Sequence, residues 1–130
     1  MKYIIILMLA SSSVFAEKEL FFDKVTLNLG RGEIYNEIER VFLGRKWRVL
    51  GKDVDGVKAR IYHRGVDATV QVFLENGSLY YTCEGTRKIN VKVPAGGNGG
   101  TKKSEKTVEY CPRRWIANLQ HDSAWVLQGF

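Results

Sequence analysis

The chain has 130 residues, of which 20 are basic and 14 acidic, for a formal net charge of +6, and 45% are hydrophobic. That length supplies one hydrophobic core, so a second domain is not expected. Nothing beyond residue 16 is apolar for long enough to span a bilayer as a helix, so a membrane-spanning protein is not expected.

Residues 1–16 have the pattern of a secretory signal peptide: Lys2 as a positive n-region, an apolar run over 3–10, and a small-residue cleavage signal at Val14-Phe15-Ala16. The mature chain is expected to be a single exported domain, 17–130, with 19 basic against 14 acidic side chains and a net charge of +5. No cysteine follows the cleavage site, so a lipoprotein anchor is not expected. The location implied is periplasmic or secreted.

Phe21, Val25, Leu27 and Leu29 alternate with polar residues and predict a first strand with one buried face. Gly30 and Gly32 interrupt it. Ile34, Ile38, Val41 and Phe42 then fall at i, i+4, i+7 and i+8, the spacing of an amphipathic helix that Gly44 would stop. Segments 47–52, 57–63, 66–74 and 78–84 are rich in β-formers and leave no room for crossover helices, so they predict an antiparallel meander. Asn76-Gly77 fixes the last register, because a two-residue type I′ turn requires positive φ at both positions. Counting back pairs Leu74 with Leu79, Val72 with Tyr81 and Val70 with Cys83, all on one face. For the earlier hairpin, a three-residue loop Val54-Asp55-Gly56 pairs Val49 with Ile61 and Trp47 with His63 inward. A strict two-residue turn would instead pair Arg48 with His63, and the first register is preferred because it buries Trp47.

Ile89, Val91 and Val93 alternate, as do Val108 and Tyr110, while the glycine-rich, lysine-bearing stretch 94–106 between them reads as a mobile hairpin loop. Cys111 is placed at the cap of a last helix with Pro112 at its first position, and Trp115, Ile116, Leu119 and Val126 form its apolar side. The fold class is therefore α+β: an antiparallel β-sheet, meander plus hairpin, with two helices packed on one face. An even cysteine count in an exported chain implies one disulfide, Cys83 to Cys111, and the spacing is not that of a redox-active C-x-x-C pair.

Catalytic and metal patterns are not found in the sequence. The glycine run at 96–100 followed by Thr101 and Lys102 fails the phosphate-loop spacing. His63 and His121 lie in no metal-ligand pattern. His63 is the better candidate for proton transfer, and beside Arg64 at a strand end it reads as structural or solvated. No nucleophile elbow occurs, and Glu37 and Glu39, two apart on a helix, do not face one another. No cofactor is implied. Asn76-Gly77-Ser78 matches a glycosylation acceptor, but its glycine is accounted for by the turn and the short isoleucine-rich leader is bacterial in character.

What remains is the outer sheet face, where the registers collect Arg48, Lys58 and Arg60 with Tyr62, Phe73 and Tyr80 among Thr69, Gln71 and Thr82. Rings beside guanidinium groups offer stacking, bidentate hydrogen bonding and contact area at modest entropic cost. The plainer reading is a solvated face steadied by cross-strand pairs. Separately, the stretch Tyr81-Thr82-Cys83-Glu84-Gly85 resembles the cysteine-bearing strand of small periplasmic lysozyme inhibitors. The likeness covers five residues, those proteins are mainly β, and no residue role is carried over. The expected function is that of a non-enzymatic exported binding protein acting on an envelope or secreted protein, such as an inhibitor, immunity factor or envelope accessory subunit. The alternative is a basic module for anionic glycan or lipid head groups, and the less favoured one an unrecognised hydrolase. Nucleic acid is not an expected partner.

Overall fold

The computed structural model describes residues 17–128 apart from 24, 26–28 and 98. The predicted signal peptide lies outside the described residues, as do Leu27 and the polar residues 24, 26 and 28 of the predicted first strand. The elements are β1 (Glu19–Phe22), α1 (Arg31–Gly44), β2 (Arg48–Asp53), β3 (Gly56–His63), β4 (Val66–Glu75), β5 (Ser78–Pro94), β6 (Thr101–Glu109) and α2 (Arg113–Leu127). They form the expected α+β architecture, with an antiparallel sheet in the order β1-β5-β4-β3-β2 and β6 on the same edge of β5 as β1. No helix among the described residues is long and apolar enough to cross a membrane.

Hydrophobic period decides which face is inside. Val57 and Ala59 of β3, Ala68, Val70 and Val72 of β4, and Leu79 and Tyr81 of β5 alternate inward and are buried. Against them α1 lays Ile34, Tyr35, Ile38, Val41 and Phe42, and α2 lays Ile116, Leu119 and Leu127. The Tyr35 hydroxyl accepts the Leu74 amide hydrogen at 2.9 Å, so this deeply buried polar group is satisfied where helix meets strand. Helix α1 starts at Gly30, whose N–H donates to the Glu33 carboxylate at 3.4 Å. It ends after Gly44 as expected. Lys46 takes a left-handed conformation (φ 66), and Trp47 N–H closes onto Phe42 O at 2.9 Å, turning the Trp47 ring into the core against Phe42.

The Asn76-Gly77 hairpin is as the sequence predicts. Both turn residues have positive φ, 52 and 81, and Leu74 pairs with Leu79, Val72 with Tyr81 and Val70 with Cys83. The expected Cys83–Cys111 disulfide is present, with Cα atoms 6.2 Å apart. It fastens the start of α2 to the inner face where the chain leaves β6 and crosses β5. Gly85 sits under that crossing, and a Cβ there would come within 2.3 Å of Tyr110 O.

Four expectations are corrected. Strand β1 ends at Phe22 instead of running to Leu29: it pairs antiparallel with residues 79–81, and β5 begins at Ser78, so the chain runs off the end of its partner. Val25 and Leu29 still pack against the core. The β2–β3 hairpin turns through Val54 and Asp55 only, pairing Asp53 with Gly56. A bulge between Val49 and Gly51 then sets Val49 opposite Ala59 and Arg48 opposite Arg60. The expected partners are therefore offset by two residues, while the expected faces hold. The stretch 94–106 is not a long loop. Strand β5 continues unbroken to Pro94 and β6 begins at Thr101, so the connection shrinks to 95–100. Helix α2 begins one residue later than expected, with Pro112 as its N-cap. Its inward positions are Ile116, Leu119, Ser123 and Leu127, leaving Val126 38% exposed.

Candidate functional site

Both helices pack on the inner face, so the outer face of the sheet carries side chains in rows set by the strand registers. Moving from the Asn76-Gly77 end, the first row is Leu20, Tyr80 and Phe73, and the second is Thr82, Gln71 and Lys58. The third is Glu84, Thr69, Arg60 and Arg48, and the fourth Thr86, Asp67 and Tyr62. All six predicted contact residues lie on this face. The structure divides them into two groups. Phe73 and Tyr80 stack with centroids 6.1 Å apart, and Lys18 Nζ sits 4.8 Å over the Tyr80 ring. Two rows away, roughly 13 Å at strand spacing, stand Arg48 and Arg60, and one row further, roughly 20 Å away, Tyr62, with Lys58 between the groups.

The second group is the more strongly organised. Arg60 Nε and Nη2 donate to the two carboxylate oxygens of Asp67 at 2.8 and 2.6 Å. This fork lowers the Asp67 carboxyl from its ordinary value, the hydrogen bond from Arg60 outweighing partial desolvation. Arg60 is thus a fixed planar element rather than a free cation. Tyr62, directly opposite Asp67, is 64% exposed. Arg48 and Lys58 make no ion pair among the described residues. Their like charges near Arg60 are unfavourable for the isolated sheet.

A second feature, a cleft, is not singled out by the sequence. A cleft of about 210 Å³ opens where the ends of β2 and β3 meet α2, lined by Arg45, Trp47, Ile61, His63, Trp115 and Asn118. His63 packs its ring against Trp115, centroids 5.9 Å apart. Arg45 closes one wall by donating to both oxygens of Asp122, at 2.7 and 3.1 Å. The contributing residues are far apart in sequence, so no local spacing signals the cleft. Trp115 and Asn118, three apart on α2, were the nearest thing to a signal. Among the described residues no group of three His, Cys, Asp or Glu side chains is placed to hold a metal ion.

Residues 89–106 form a third feature, a two-stranded arm. Strand β4 follows β5 only as far as the pair Val66–Arg87; beyond it β5 is paired by β6 alone. Comparison with known proteins adds no further assignment: no protein-family model, curated protein or solved structure matches the chain.

Proposed function

We propose that this is an exported, non-enzymatic binding protein that engages a protein partner through the outer face of its sheet, in the periplasm or outside the cell. The observation that carries the reading is the exposed Tyr62 ring beside the Arg60–Asp67 fork, directly opposite Asp67 and one row from the Arg48–Arg60 pair, on a face that neither helix covers. A rigid aromatic beside a pre-oriented guanidinium loses little entropy on binding and is the kind of anchor that dominates interfaces. The disulfide is consistent with an oxidising compartment, and the leader pattern supports export. Partners of the inhibitor-target, toxin–immunity or envelope-assembly kind suit such a face.

The test is chemical crosslinking in intact cells, comparing the wild type with an Arg48→Glu, Tyr62→Ala variant that leaves the Arg60–Asp67 fork intact. One protein crosslinked to the wild type and lost in the variant supports the proposal; equal crosslinking by both removes this face from it. A second reading, a basic module directed at anionic glycan or lipid, is favoured by one observation, the concentration of lysines on the β5–β6 arm.

A further inference from the structure

The arm carries charge out of proportion to its length. Residues 89–106 hold Lys92, Lys102, Lys103 and Lys106 against the single Glu105, a net +3 in eighteen residues of a mature chain whose total is +5. None of the four lysines has an ion pair among the described residues; Glu105 lies 3.9 Å from Lys88 at the arm's base. Lys92 and Lys103 face each other directly across the ladder, an arrangement that costs stability in the isolated hairpin. The six residues from Ile89 to Pro94 reach about 20 Å past the sheet.

The arm is also two-faced. Ile89, Val91 and Val93 continue the inward-pointing row of β5, opposite Lys106, Ser104 and Lys102. They are half-buried by their neighbours yet belong neither to the core nor to the apolar residues packed around it. Lysines that only guard a sheet edge against aggregation need no apolar row beside them. A row of β-branched side chains flanked on its own face by the ammonium groups of Lys102 and Lys106, on flexible stems, fits an interface that is apolar below and anionic above.

We infer that the β5–β6 arm is a docking element for an anionic lipid surface, its lysines meeting headgroup phosphates while Ile89, Val91 and Val93 settle at the acyl boundary. This rests on the second reading above and uses a site separate from the outer sheet face. The experiment is co-sedimentation of the full mature chain with vesicles of phosphatidylcholine alone or mixed equally with phosphatidylglycerol. The wild type is expected to pellet with the mixed vesicles and to remain in the supernatant with phosphatidylcholine. Lys102→Glu, Lys106→Glu, which reverses the two lysines on the face of the apolar row, should weaken pelleting by at least ~20-fold, since each lysine near an anionic surface contributes about fivefold. Val91→Asp should weaken it with all lysines kept. Circular dichroism checks that both variants are folded, and Arg48→Glu, Tyr62→Ala should pellet nearly as the wild type does, so a failure of the arm is distinguishable from a failure of the outer face. Equal pelleting with both vesicle types, or wild-type pelleting by a folded Lys102→Glu, Lys106→Glu variant, overturns the inference. So does binding to soluble poly-glutamate that matches vesicle binding and is indifferent to Val91→Asp, which assigns the arm to an acidic protein instead.

Discussion

Two aspartates in this molecule each accept both prongs of one arginine, and they serve different ends. Asp67 orients Arg60 on the outer face, whereas Asp122 on α2 holds Arg45 just past the end of α1 and so ties the two helices together beside the cleft. In both, the hydrogen-bonded arginine lowers the carboxyl from its ordinary 3.8 against a smaller opposing effect of desolvation. The sign of the linkage follows. A carboxyl depressed in the folded state stabilises at pH above its unfolded value, and that stabilisation is lost as pH falls through the lower folded value. For Asp122→Asn we therefore expect a urea midpoint below that of the wild type at neutral pH, with the difference shrinking as the pH drops below 3.8. A difference independent of pH over that range would mean that the asparagine disturbs packing rather than removing a charge. Because both pairs are partly exposed, added salt should shrink the neutral-pH difference as well.

At the scale of elements, the disulfide and the hairpins show what local sequence can and cannot specify. Cys83 lies in the inner row because the Asn76-Gly77 turn sets the register by two adjacent positive-φ residues, a purely local constraint, and the position of Cys111 over that row followed. The β2–β3 hairpin resisted because its register depends on a bulge at Leu50. Only packing demands that bulge, to keep Val49 and Trp47 inward after a two-residue turn. The first part of β6, residues 101–106, reads as loop because its lysines and polar residues show no apolar alternation; its order comes from pairing with β5, a partner that periodicity in this segment does not reveal. The outer-face residues were legible since face parity survives a register offset of two, but their division into two groups was not, because it needs the row positions. The disulfide also makes a quantitative prediction. It closes a 29-residue loop in the unfolded chain, which the chain-entropy account values at about 3 to 4 kcal/mol. A Cys83→Ala, Cys111→Ala protein should lose stability of that order in urea unfolding and keep its partner while folded. Loss of the partner in a still-folded variant would place the α2 attachment within the binding surface.

Taken whole, the molecule presents two candidate surfaces governed by different physics, and ionic strength separates them. The outer face offers a ring and a guanidinium already neutralised by Asp67, so its affinity should come mainly from contact and desolvated hydrogen bonds, which salt screens weakly. The arm offers four lysines without ion pairs among the described residues, and their attraction to a charged surface extends over a Debye length, which falls about threefold for a tenfold rise in salt. Raising salt by that factor should reduce vesicle pelleting by at least ~10-fold, while crosslinking to a protein partner changes little. If partner binding collapses together with vesicle binding, both reflect one electrostatic attachment, and the outer face loses its claim to an independent function. If vesicle binding instead survives high salt, the row of Ile89, Val91 and Val93 carries it, and Val91→Asp should then be the more damaging of the two arm substitutions.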